Sequence, residues 1–172
     1  LHDLSLLLRS GLLSVDSSAS SPNAIVLQVP AAAASRSDKS LFIRDAFARL
    51  QIGGLDLKLK ALASLLELLG NDPAAEAANI VAADGDVAAL LRMLDASAHS
   101  ALRDRAAAVV ALLATACSAS RKAVFDEGGL GPLLRVLDSA SAPATRERAV
   151  VAIEAMTADA GSAWAVSAYG GV

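Results

Sequence analysis

The side chains that most readily act as nucleophile or base near neutral pH are few in this chain: His2, His99 and Cys117. Cys117 would attack a carbonyl only if a neighbouring base held it as thiolate. It instead continues an apolar stripe at helical spacing, Ala106, Val109/Val110, Leu113, which points to a buried cysteine acting as a small hydrophobe. His2 stands at the ragged start and His99 in an Ala/Ser stretch. No Gly-x-Ser-x-Gly elbow, phosphate-binding loop, dinucleotide fingerprint or His-Glu-x-x-His pair occurs. Metal ligands at a recognised spacing are missing too. The expectation is therefore no catalytic residue, no cofactor and no metal: a protein that is not an enzyme. Gly85, Gly128 and Gly170 read as helix terminators, and Trp164 as a packing residue of a short helix.

If no chemistry is carried out, the elements themselves must do the work. The sequence is 55% hydrophobic but only 3% aromatic, and Ala and Leu supply most of that content. Both lose little conformational freedom in a helix, so the chain should be all-α. Its 172 residues suffice for one domain with a sizeable core. Fifteen basic and eighteen acidic residues give a formal charge of −3, with no basic block that could neutralise phosphates, so nucleic acid is not an expected partner. Charges interrupt every apolar run before it reaches the length of a membrane span. A signal peptide among Leu4, Leu6, Leu7, Leu8, Leu12 and Leu13 is set aside because Asp3 replaces a basic start; a short helix is expected there. The lone cysteine fits a reducing, intracellular compartment, cytoplasmic or nuclear.

Internal similarity decides the architecture. Val81-Ala82-Ala83-Asp84-Gly85-Asp86-Val87-Ala88-Ala89-Leu90-Leu91-Arg92-Met93-Leu94-Asp95 aligns with the fifteen residues from Val124 to Asp138, and seven of the fifteen pairs are identical. Arg103-Asp104-Arg105-Ala106 aligns at the same spacing with Arg146-Glu147-Arg148-Ala149. Apolar positions follow at helical intervals: Ala106, Val109, Val110, Leu113, then Ala149, Ala152, Ile153, Met156. An earlier copy, Ala61, Ser64, Leu65, Leu68, fits after a two-residue shift. A period in the low forties built from short helices is the mark of stacked helical repeats. Each unit should contain a short helix from about Ala119 to Asp126 ending at Gly128-Gly129, a second with Pro132 in its first turn, and a longer third. Third helices are expected near residues 57–69, 102–116 and 144–158.

These motifs resemble the armadillo repeat, with a glycine-ended short helix, a Leu-Leu-x-x-Leu helix and an Ala-rich long helix. The resemblance spans roughly residues 41–172 and is nearest to plant armadillo proteins, including the region that follows the U-box in plant ubiquitin ligases; Gln51-Ile52-Gly53-Gly54 is similar to the entry into such arrays. It implies a right-handed α-solenoid, with HEAT repeats as the alternative. The units would be residues 41–80 (a first, atypical repeat), 81–123, 124–165 and the start of another at 166–172. Residues 1–40 would supply an N-terminal helix and a connection. The implied function is a scaffold or adaptor that binds segments of other proteins along a concave face of third helices; the alternative is substrate recognition for a ubiquitin ligase whose catalytic module is not in this chain.

In that family an Asn on the third helix often grips the backbone of a bound peptide. The matching positions here are Glu67, Leu112 and Ala155, so the Asn ladder is absent and binding of nuclear-localisation peptides is disfavoured. The expected groove has Leu66, Ala111 and Leu112 as exposed apolar contacts, with Glu67 and Glu154 as acidic markers beside Ala155, and suits an amphipathic or apolar partner segment. Residues 14–40 hold eight Ser, with Pro22 and Pro30 around Ile25-Val26-Leu27. They read either as a surface connection whose apolar trio docks on the solenoid end or as a phosphorylated regulatory arm. Because the chain opens on Leu1 and the pattern restarts at Val166 only to break off at Val172, we expect a longer natural array and self-association of this portion through uncovered apolar surface.

Overall fold

The computed structural model describes residues 28–31, 33–95, 99–139 and 141–158. The Leu-rich start, Ile25-Val26-Leu27, His2, Trp164 and the restart at Val166 lie outside them. The described chain is all-helical. Its helices are α1 (Arg36–Ile52), α2 (Leu55–Gly70), α3 (Glu76–Asp84), α4 (Val87–Arg92), α5 (Ser100–Ala116), α6 (Ser118–Asp126), α7 (Leu130–Asp138) and α8 (Pro143–Thr157). No strand occurs among the described residues. The long helices α2, α5 and α8 fall within two residues of the expected third helices. No helix among the described residues is long and apolar enough to cross a membrane.

The stacking follows the repeat. α5 packs between α2 and α8, α3 lies against α6, and α1 packs on both α2 and α3, an arrangement compatible with an α-solenoid. Ala61, Ala106 and Ala149 occupy equivalent positions on the three long helices and are all fully buried, so a larger side chain there would need space that close packing does not leave. Leu65, Leu68, Val109, Val110, Leu113, Ala152 and Met156 continue the buried stripe. Ile153 departs from it, being only half-buried. One continuous core results, and α1 adds Ile43, Phe47 and Leu50 to it.

A hydrogen bond repeats with the sequence. Arg105 Nη1 donates to the Leu59 carbonyl at 2.7 Å, and Arg148 Nη1 donates to the Asp104 carbonyl at 3.2 Å. Arg105 and Arg148 each precede the equivalent buried alanine, and each reaches the same place on the helix before it. A one-residue slip between neighbours would break both bonds and misplace the alanines, so the arginines fix the stacking register.

Glycine has two separate tasks at the short-helix ends. Gly128 takes φ +76°, the left-handed conformation expected of a helix terminator. Gly85, its partner in the sequence alignment, also ends its helix as the C-cap of α3, but with φ −86°, so glycine is needed there for close approach: a Cβ would lie 2.6 Å from the Val81 carbonyl oxygen and 3.0 Å from Phe47. Gly129 meets the equivalent surroundings, 2.6 Å from the Val124 oxygen and 3.3 Å from Leu91. Gly129 is thus the structural counterpart of Gly85. The same comparison equates Phe47 with Leu91, which places α1 in the role that α4 plays in the next unit. Pro132 is the third residue of α7, where a missing N–H still costs no intrahelical bond.

The connection read over residues 14–40 ends earlier than expected. Ser35 caps α1, its hydroxyl accepting from the Asp38 N–H at 3.2 Å, so the helix begins five residues before the boundary at Leu41. Polar composition concealed this start, because Lys39 is buried through ion pairing rather than apolarity. Leu41 itself is exposed.

Candidate functional site

Three successive long helices form a shallow depression of about 330 Å3, lined by Leu66 of α2, by Ala108, Ala111, Leu112 and Thr115 of α5, and by Arg148 and Val151 of α8. Of the six residues expected from sequence, it unites Leu66, Ala111 and Leu112. Leu66 and Leu112 are half-buried, but Ala111 is only 8% exposed. Ala111 therefore corrects its reading as an exposed contact: it forms floor, because the inter-helix packing reaches one position further round α5 than the apolar stripe suggests. Glu67 and Glu154 are exposed and Ala155 is half-buried; none of the three lines the depression.

Sequence reasoning missed Ala108, Thr115, Arg148 and Val151. Ala108 and Val151 are equivalent positions of the repeat, one turn before Leu112 and Ala155, so extending the chosen stripe by a turn would have found them. Thr115 lies one turn after Ala111, and its hydroxyl donates to that residue's carbonyl at 2.9 Å. The wall is therefore less polar than its composition implies. Arg148 is fixed at the other side by the Asp104 carboxylate, which also accepts from the Thr145 hydroxyl at 2.9 Å. The arrangement offers apolar contact and one positioned cation.

Two further polar groups sit elsewhere. Cys117 does not extend the stripe of α5, which ends at Ala116. It is partly exposed and extended, its sulfur accepting from the Ser120 N–H at 3.4 Å as the N-cap of α6 and lying 3.3 Å from Asn79 Oδ1. His99 caps α5, accepting from the Ala101 N–H at 3.3 Å. Among the described residues no three His, Cys, Asp or Glu side chains gather as a metal site.

The most buried charge among the described residues is Lys39, 2% exposed, whose Nζ lies 2.8 Å from Glu76 and 3.5 Å from Asp72. The hydrogen bond to Glu76 raises its pKa against the opposing effect of burial, and the Asp72 charge adds to the rise. Asp72 also accepts from the Ala77 N–H, so this cluster ties α1 to the start of α3.

Fold and site together define a class: an all-helical stack, compatible with an α-solenoid, that presents a shallow apolar depression across successive long helices. Comparison with models of protein families, with curated proteins and with solved structures finds no match.

Proposed function

We propose that this chain is an armadillo-type, right-handed solenoid that works as a non-enzymatic interaction scaffold, taking an amphipathic helix or apolar segment of a partner protein across its long helices. The observation that carries this reading is the meeting of Leu66, Leu112 and Val151, one from each long helix, on a shared depression with Arg148 beside them. Apolar side chains spaced one to two turns apart on a partner helix would fill it, and an acidic residue of the partner would face the guanidinium. Asp104 already holds that guanidinium, so it can contribute direction more than affinity.

The test is Leu112→Arg. Leu112 is half-buried at the depression rather than in the core, so the variant should fold and melt like the parent. Proteins recovered on the parent chain from cell extract would be titrated calorimetrically against both forms. Loss of about tenfold or more in affinity is expected for a partner that uses this face. Undiminished affinity in the folded variant would move the binding surface elsewhere.

A further inference from the structure

A second concavity, sharing no residue with the long-helix depression, lies between α1, α2, α4 and the start of α5. It measures about 490 Å3. Its apolar lining is Leu50, Ala89, Met93 and Leu102, and its polar lining is Lys58, Arg92 and His99 together with Gln51. Every titratable side chain on its wall is basic. This is unlike the rest of a chain whose net charge is −3.

The acid that meets Arg92 and Gln51 is Asp86, and its carboxylate is already shared among three groups. Its carboxylate accepts from the Ala89 N–H at 2.8 Å and from Gln51 Nε2 at 2.8 Å, and lies 3.5 Å from Arg92. Arg92 meets it through one nitrogen only, at the outer limit of hydrogen bonding, with two-thirds of its side chain exposed. Its other N–H groups remain available. Lys58 forms no ion pair among the described residues and is half-buried at the wall. His99 accepts the Ala101 N–H through Nδ1, which leaves Nε2 as the ring nitrogen free to meet a ligand.

We propose that this cavity is a binding site for an acidic peptide segment, with an apolar side chain seated among Leu50, Met93 and Leu102 and a neighbouring carboxylate shared by Lys58 and Arg92. Charge alone would suit free phosphate equally. The apolar half of the lining argues for a ligand in which an anion and a hydrocarbon side chain are adjacent, as they are in a peptide that alternates Leu and Glu. Desolvation against that apolar wall strengthens the ionic contacts relative to an open surface.

The experiment is an amide-resolved NMR titration with a blocked pentapeptide whose central leucine is flanked by glutamates. Its counterpart with glutamines and sodium phosphate serve as the other two arms. The glutamate peptide should shift the backbone signals of Lys58, Arg92 and Leu102. Its affinity should fall about a hundredfold in Lys58→Ala/Arg92→Ala, since each of the two charged contacts is worth about tenfold. Lys58→Arg should keep most of the binding. Equal binding of the glutamine peptide would overturn the proposal without recourse to any variant. So would undiminished binding by a double variant that melts like the parent. If phosphate binds there and the peptide does not, the site is one for a free anion and the peptide reading fails. Because the groove variant Leu112→Arg leaves this wall intact, loss of one site is distinguishable from loss of the other.

Discussion

Lys39→Met is the sharpest test of how the first unit is held. Met preserves most of the stem length and removes only the ammonium. The Asp72 side chain, 3% exposed, would then remain charged in the interior with one backbone N–H, that of Ala77, for company. Breaking a buried ion pair by deleting one partner costs about 3–5 kcal/mol. Glu76 is one-third exposed and can recover solvation, which places the expectation at the low end, about 3 kcal/mol. For a chain of this size that is a fall in Tm of about 6–12 °C, read by circular dichroism at 222 nm. Adding Asp72→Asn should restore most of the loss, since the amide oxygen still accepts from Ala77 while the stranded charge disappears. The pH dependence has a definite sign. Lys39 is raised above its ordinary value, so its contribution is complete below the unfolded pKa of about 10.4 and is lost as pH rises through the higher folded value. The gap between parent and variant should be level from neutral pH to about 10 and close above it. A variant that melts like the parent would mean that the charge cluster does not hold α1 on α3.

Other changes follow from the same contacts. Val110→Asp places a charge at a fully buried site in the middle long helix and should unfold or aggregate the protein, whereas Ile153→Asp, half-buried on α8, should cost markedly less in urea melts; equal losses would contradict the observed burial. Gly129→Ala drives a Cβ to 2.6 Å from the Val124 oxygen, an atom the helix cannot move cheaply, and should destabilise by about 2 kcal/mol, a loss that denaturant titration would detect. Asp86 is held below its ordinary range because, although burial opposes this, bonds from the Ala89 N–H and Gln51 and the charge of Arg92 outweigh it. Its stabilisation is present above the unfolded pKa of about 3.9 and lost as pH falls through the folded value; Asp86→Asn should remove that part of the acid sensitivity.

How far the sequence discloses this molecule depends on whether a residue's environment is built locally. The long helices were legible because Ala106, Val109, Val110 and Leu113 satisfy a helical period within one element, and the same period recurs in α8. The groove was half legible. Leu66 and Leu112 follow from the stripe, but whether Ala111 is floor or rim depends on how closely α8 approaches, which no local pattern encodes. Arg148 stood in a visible repeat, yet its role as a register bond requires knowing that the Asp104 carbonyl lies opposite. Cys117 misled for a related reason: the stripe predicts burial only while the helix continues, and α5 stops one residue short of it.

The two-residue irregularity in the repeat shows how such non-local features arise. Ala61 lies 20 residues before Val81, while its counterpart Ala106 lies 18 before Val124. The surplus falls in the connection from a long helix to the next short one. Between α5 and α6 a single residue, Cys117, makes that turn and also caps the helix. Between α2 and α3 the chain runs through residues 71–75, with Ala75 at φ 54°, a conformation that costs an L residue about 1 kcal/mol or more. In exchange, the longer turn carries Asp72 inward to accept the Ala77 N–H and to meet Lys39. The regular junction offers only Cys117 at that place, and α4, at the position of α1 in the next unit, presents no buried lysine to need a carboxylate. The insertion, the strained alanine, the buried lysine and the early start of α1 are therefore one adaptation of the first unit. Shortening the turn to the Cys117 pattern without replacing Lys39 should destabilise the chain as much as Lys39→Met does, whereas shortening it in the Lys39→Met background should cost little more. Denaturant titration of the two single variants and the combined one would decide it, and additive losses would show that turn and lysine are independent.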